Sequence, residues 1–451
     1  MRPGCEVLTI DNHERIYFMT LHRAMLVFIM FLCVLPASYV YAADIINQIH
    51  PNISVSTEYN DNINQTTNNN KDNKKDDFIT TVLPGIKFSN MDAKSGIDLD
   101  ASVGFVFYDK NPNLNYISGS GSLNAKYMTS EHVNFYLKES YLRSDNPREQ
   151  EYFTQVADNK YVLSKSTQRS VYWRNVFAPT VEYQFGAESR IGVNYRYNIY
   201  RTDDSTSQNS AENYINPFIT YWFDKRNGVY LDYAYTNGDF EASPDLNGHK
   251  VTARYMNRLN QQATAFVEGA YTNNSFATSV MDYNIYEPSL GLTYAFSPSL
   301  TASVQVGYYW MDRLNANADL NSSGLTFKAD LANRDVKTTY VLSVQGGYTE
   351  DYFTAQNLGF QKYYRATGSI NHYLERRFSI GCLGSIERAE IKSDAEPDRT
   401  DTTWGVGASA SYQPLKWLTL SLEISHNAHE SNISAYEYTE NKGILKLTAS
   451  Y

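Results

Sequence analysis

The chain has 451 residues, with 39 Lys+Arg against 49 Asp+Glu and 38 Tyr among its aromatics. No apolar run after residue 42 approaches the length of a membrane-spanning helix, and a formal charge of −10 without any Lys/Arg-rich block argues against nucleic acid as a partner. A mean hydropathy of −0.48 coexists with many short alternating apolar runs, the profile of a transmembrane β-barrel in which only every second strand residue faces lipid.

Residues 1–42 read as a signal peptide with an upstream extension. His22 and Arg23 form a weak basic end, residues 24–35 are apolar, Pro36 breaks the stretch, and residues 40–42 offer a cleavage site. Met19 or Met25 is a candidate start, because residues 1–20 are polar. Cys33 follows Phe31-Leu32, without the small residues of a lipoprotein site. Cleavage would remove Cys5 and Cys33 and leave Cys382 alone, so no intrachain disulfide is expected. It would also remove three basic and three acidic residues, leaving the charge at −10.

Residues 43–451 form the expected barrel. From Pro51 onward apolar and polar residues alternate with period two. In residues 300–310, Leu300, Ala302, Val304, Val306, Tyr308 and Trp310 fall on one face, and Thr301, Ser303, Gln305, Gly307 and Tyr309 on the other. A strand sorts these residues and a helix does not. The same split recurs at 97–107, 191–199 and 418–424. Short connections (near 90–94, 130–132, 186–188 and onward) alternate with longer polar ones (near 62–76, 144–166, 203–211 and onward). Short periplasmic turns and long extracellular loops are the outer-membrane pattern. The fold class expected is all-β, a single antiparallel transmembrane β-barrel of roughly 18–20 strands, about 35–40 Å across.

Several local features accompany the alternation. Tyr183, Phe185, Tyr221, Phe223, Tyr294, Phe296, Tyr308, Trp310, Tyr412 and Trp417 sit near strand ends, where amphipathic rings suit the headgroup boundary. Pro84, Pro179, Pro217 and Pro288 each fall on the outward face of a descending strand, which requires a bulge or a missing ladder bond. The loop at 144–166 carries Tyr152, Phe153 and Tyr161, too apolar for a purely solvated loop, and is expected to fold into or over the mouth. The last strand ends in Tyr451, an outward terminal aromatic of the kind that barrel-assembly machinery reads. A soluble β-sandwich or solenoid would need its apolar faces covered and would not alternate short and long connections.

No catalytic motif is present: there is no GxSxG, HExxH, Walker loop or CxxC. His426 and His429, three apart, fall on opposite faces of a strand, and the histidines are expected to be solvated rim or loop residues. Residues 62–77 are acidic and Asn-rich but lack the Gly and terminal Glu of a calcium loop. No enzyme activity, cofactor or metal is expected. Function would reside in the lumen. Extending the alternation inward gives, among others, Asp98, Asp100, Arg174, Glu182, Arg196, Asp232, Arg254, Glu268, Lys328, Asp330, Arg365, Glu387 and Glu423, in all nine acidic and ten basic groups. Tyr309 and further Tyr, Ser, Thr and Asn join them. A charge-balanced, hydroxyl-rich wall suits a neutral or weakly charged carbohydrate better than a small ion.

At 55–88 the chain resembles a known family. Ser56-Thr57-Glu58-Tyr59-Asn60-Asp61-Asn62-Ile63, followed by Asp76-Asp77-Phe78-Ile79-Thr80-Thr81-Val82-Leu83-Pro84-Gly85-Ile86, is similar to the opening of the putative β-barrel porin 2 family. The resemblance implies an outer-membrane barrel often associated with exopolysaccharide or PEP-CTERM systems, where it passes or anchors secreted polymer, and it lends no catalytic residues. The leading expectation is therefore an exopolysaccharide export conduit in the outer membrane, contacting lipid and working with an inner-membrane synthase and a periplasmic export partner. A general diffusion porin and a closed structural or adhesive surface barrel are the alternatives.

Overall fold

The computed structural model describes residues 48–67, 74–145, 170–202, 209–278, 281–314, 321–353, 359–392 and 398–450. The signal-peptide region, Tyr152, Phe153, Tyr161 and Tyr451 lie outside them.

Period-two alternation becomes strand throughout. In chain order the strands are β1 (Ile49–Asn60), β2 (Asp77–Met91), β3 (Ser95–Tyr108), β4 (Tyr116–Met128), β5 (Val133–Ser144), β6 (Tyr172–Gln184) and β7 (Arg190–Thr202). They continue as β8 (Ser210–Trp222), β9 (Asn227–Phe240), β10 (Leu246–Arg258), β11 (Ala263–Phe276), β12 (Tyr283–Ala295), β13 (Leu300–Arg313) and β14 (Ser322–Arg334). The last six are β15 (Thr338–Asp351), β16 (Gly359–Glu375), β17 (Phe378–Ile391), β18 (Arg399–Leu415), β19 (Leu418–Ser431) and β20 (Tyr438–Ser450). Each pairs antiparallel with its sequence neighbours, and β20 pairs with β1 from Asn52↔Ser450 to Asn60↔Lys442, which closes a barrel of 20 strands. Closure pairs the strand edges around the barrel, so that lipid need not supply hydrogen bonds, except at the upper ends of β14 and β15, where the ladder stops at Phe327↔Gly346.

The two faces separate as the alternation requires. Val103, Phe105 and Phe107 on β3, Val304 and Val306 on β13, and Leu420, Leu422 and Ile424 on β19 are all exposed on the outside. The girdle aromatics flank this band: Phe185 stacks on Tyr221 with ring centroids 6.2 Å apart near the short-turn end, and Tyr308 meets Trp310 at 4.9 Å toward the long-loop end.

The four prolines interrupt the ladder without shifting it. Pairing of β2 with β3 skips from Val82↔Phe105 to Gly85↔Ser102, and of β6 with β7 from Phe177↔Tyr197 to Thr180↔Asn194. The β8–β9 and β12–β13 ladders have the same gap at Pro217 and Pro288. Register is equal on both sides of every gap, so a missing hydrogen bond, not a bulge, is what proline imposes here. At Pro217 the structure compensates: the neighbouring Asn216 Nδ2 donates to the Tyr233 carbonyl at 3.1 Å.

A clasp holds the closing seam. The Asn441 backbone N–H and Nδ2 donate to the two carboxylate oxygens of Asp61 at 2.8 and 2.7 Å, and Lys74 Nζ donates at 3.3 Å. Partial burial by itself would raise the Asp61 pKa, but the bonds from Asn441 and Lys74 outweigh it and hold the carboxyl below its ordinary value. A depressed carboxyl stabilises the folded state above its unfolded pKa and loses that contribution as pH falls through the folded pKa. Amide exchange at the upper ends of β1 and β20, corrected for intrinsic rates, should therefore accelerate below about pH 4. Asp61→Asn should remove that pH dependence.

Candidate functional site

The lumen is built from the inward-facing alternate residues, and its charged groups meet across and along strands. Arg196 on β7 bonds Glu212 on β8 (Nη2 to Oε1, 2.6 Å) while its guanidinium lies 4.5 Å from the Tyr214 ring centroid. Arg254 on β10 bonds Glu268 on β11 (Nε to Oε2, 2.7 Å) and lies 4.4 Å from the Phe266 ring. Arg365 on β16 bonds Glu387 on β17 (Nε to Oε2, 2.5 Å) and lies 5.0 Å from the Tyr363 ring. The pattern has a common cause. An aromatic neighbour and a carboxylate together orient a planar guanidinium, leaving its charge neutralised at the wall.

The other charged residues expected in the lumen also lie opposite the exposed apolar face. Asp100 meets Lys87 at 3.0 Å, while Asp98 and Glu423 are exposed. Glu182 lies 3.5 Å from Arg190, and Lys328 lies 3.5 Å from Asp330, which also accepts from Ser343 Oγ at 2.6 Å. Asp232 accepts from Tyr230 at 3.0 Å, and Arg174 donates to Asn198 Oδ1 at 2.9 Å. Sequence reasoning missed Glu212, the partner of Arg196. It stands at the loop end of β8, where its outward neighbours, Ala211 and Asn213, mark the period only weakly.

Toward the long-loop end the interior is packed. Leu246, Phe276, Tyr283, Ile285, Tyr309, Met311 and Tyr352 form a cluster in which Tyr309 has no exposed surface, and Phe240, Tyr348, Phe353 and Phe360 pack against it. Polar bonds tie the cluster together. The Tyr283 hydroxyl donates to Glu350 at 2.6 Å and lies 2.6 Å from that of Tyr352; the Tyr348 hydroxyl donates to Glu287 at 3.0 Å. Lumen residues near the short-turn end, such as Asp98 and Lys138, are exposed by contrast.

One expectation is corrected. His429 is not a solvated rim histidine: it is 1% exposed, stacked on Tyr438 at 5.6 Å, and its Nδ1 lies 2.8 Å from the Thr403 hydroxyl. Asp401 Oδ2 lies 3.6 Å from its other ring nitrogen and 3.0 Å from Arg399 Nε, an ion pair. His426, as expected, points the other way and lies half-buried beside Trp404. The inner face of β19 near its loop end is enclosed by neighbouring side chains, which a single-strand pattern does not reveal. Among the described residues no group of His, Cys, Asp and Glu has the arrangement of a metal site.

The model of the family described as putative beta-barrel porin 2 matches residues 48–451, the whole of the barrel. The chain belongs to that family. No curated protein sequence matches it. Among solved structures, a mutant ferric enterobactin receptor (PfeA) of Pseudomonas aeruginosa in complex with enterobactin is similar at 8% identity. The match covers 90% of this chain and 81% of that one, with a TM-score of 0.51. The siderophore receptor PirA of the same organism (9% identity, 90% and 80% covered, TM-score 0.48) and Acinetobacter baumannii OccAB4 (11%, 90% and 98%, 0.42) are also similar. At such identities the likeness concerns the fold alone. This member of the porin family is thus an outer-membrane β-barrel, with its short turns toward the periplasm and its long loops outside.

Proposed function

We propose that this barrel is a conduit for the export of an exopolysaccharide, supplied from the inner membrane through a periplasmic partner. The observation that carries the reading is the pairing of lumen charges: Arg196 with Glu212, Arg254 with Glu268 and Arg365 with Glu387. Pairing leaves little fixed charge, so the passing solute meets mainly hydroxyls, amides and ring faces. Many weak, exchangeable hydrogen bonds let a hydrated neutral polymer slide, because each bond lost to the wall is replaced by one to water. No chemistry is assigned to Thr403, His429 and Asp401, whose exposures of 3%, 1% and 1% keep substrates away.

Deletion of the gene should lower surface polymer and leave uptake of small sugars unchanged. Unchanged polymer with reduced sugar uptake would favour a general diffusion porin instead. The packed aromatic cluster at the outer end favours a second reading, a closed structural or adhesive surface barrel, and that reading requires no conductance in planar bilayers under any condition. The paired wall makes a further prediction. The native barrel should pass cations and anions with nearly equal permeability, and Glu268→Gln, which frees the one-third-exposed Arg254 guanidinium, should shift the reversal potential in a KCl gradient toward anion preference.

A further inference from the structure

The wall of the barrel has a seam that stops short. Strands β14 and β15 pair from Arg334↔Thr339 only up to Phe327↔Gly346. Both continue beyond that point with their other neighbours: β14 pairs with β13 as far as Met311↔Ser322, and β15 with β16 as far as Asp351↔Gly359. Extending the existing register would set Thr326 opposite Gly347, Leu325 opposite Tyr348 and Ser322 opposite Asp351, so the two strand ends beyond the last β14–β15 pair match in length. Gly347, the first residue past the last pair, has φ +145°, and a side chain there would press on Thr326.

Above the seam β15 lies inside the barrel. In its lower half the outward face carries Leu342 and Val344, both exposed. Its register with β16 is continuous, so Tyr348 and Glu350 belong to that same outward face, as does Phe360 on β16. Yet these residues meet the inner face of β11–β13. Tyr348 lies 4.9 Å from the Tyr309 ring and bonds Glu287, Glu350 bonds Asn274 and Tyr283, and Phe360 lies 6.1 Å from Tyr283. Phe353 reaches farther, to β9, where a side chain on Gly238 would collide with its ring. On the opposite side Asp351 acts electrostatically on Arg174 of β6. The upper part of β15 therefore crosses the lumen.

We propose that the upper halves of β14 and β15 are a gate with two states. In the state seen, β15 is tucked inward and its lipid-face side chains cross the channel. In the other, residues 322–326 and 347–351 zip in the register already set below, β15 returns to the wall, and the lumen opens. The matched ends give the second state a complete hydrogen-bond ladder, while Tyr348 and Phe360 take up positions beside Leu325 and Tyr364 at the level of the outer aromatic girdle. Each aromatic side chain has an apolar seat in both states, which is what a bistable element requires. The gate does not depend on which solute passes.

Cysteine pairs in a Cys382→Ala background test it in native membranes and in planar bilayers. Leu325→Cys with Tyr348→Cys places the thiols directly opposite one another only when the seam is zipped, since in the tucked state Tyr348 lies behind the wall and Leu325 in front of it. Asn274→Cys with Glu350→Cys can be bridged by a short bifunctional reagent only when β15 is tucked. Phe327→Cys with Gly346→Cys, paired in both states, controls for folding and oxidation. Both test pairs should cross-link. The oxidised 325–348 protein should conduct at least about fivefold more than the bridged 274–350 protein, as expected when a pore of this strand number loses the segment crossing it. A control pair that oxidises while 325–348 never does, in folded protein, would show a static wall and overturn the gate. Equal conductance of the two locked forms would overturn it as well.

Discussion

Replacing Arg365 by methionine should destabilise the barrel by about 3–5 kcal/mol, one of the largest effects expected of any single side chain here. Glu387 is 3% exposed and Arg365 8%, and the two are joined through the Nε and Nη2 of the guanidinium. Removing the cation leaves a buried carboxylate without its countercharge, and the cost of its desolvation is no longer offset by the guanidinium. Removing both charges restores most of the loss, because two apolar side chains of similar size need neither solvation nor each other's field. Arg365→Met should thus lower the urea midpoint of folding into lipid vesicles sharply, and Arg365→Met/Glu387→Met should recover most of it. Equal losses in the single and double variants would show that packing against Tyr363, not charge, is what the pair supplies.

Gly307→Ala should cost about 1–3 kcal/mol for the addition of a single methyl group, as overpacking of a close contact does. A Cβ at this position would lie 2.6 Å from the Pro288 carbonyl oxygen and 2.7 Å from Ser289 Cβ. Backbone cannot move aside as a side-chain tip can, and Pro288 is already where the β12–β13 ladder is broken. The same substitution at Gly269, where nothing lies within 4 Å, should instead be neutral or stabilise by up to about 1 kcal/mol, because alanine loses less backbone entropy than glycine in a strand. Folding equilibria of both variants in the same vesicles decide the matter. A loss at Gly269 as large as at Gly307 would mean that glycine is needed for flexibility and not for space.

Much of the lumen is legible in the sequence because it obeys a local rule. Arg196, Arg254, Glu268, Arg365 and Glu387 alternate with lipid-facing neighbours on the same strand, so the period alone assigns their face. Their partners are another matter. Arg196 meets Glu212 diagonally across β7 and β8, two residues away from its register partner Tyr214, and only inter-strand stagger brings them together. Glu350 carries a signal of its own in the sequence. Its parity with Leu342 and Val344 puts a carboxylate on the outward face, so this end of β15 cannot belong to the apolar band.

Period-two hydrophobicity, the alternation of short and long connections and the outward prolines specify by themselves that this chain closes into a lipid-exposed barrel. Each is a statement about one strand and the two solvents on either side of it. The state of the channel belongs to the tertiary structure alone. Whether β15 pairs with β14 or packs across the lumen on Tyr283 and Tyr309 is a choice between partners far apart in the chain, and the same aromatic side chains satisfy either one.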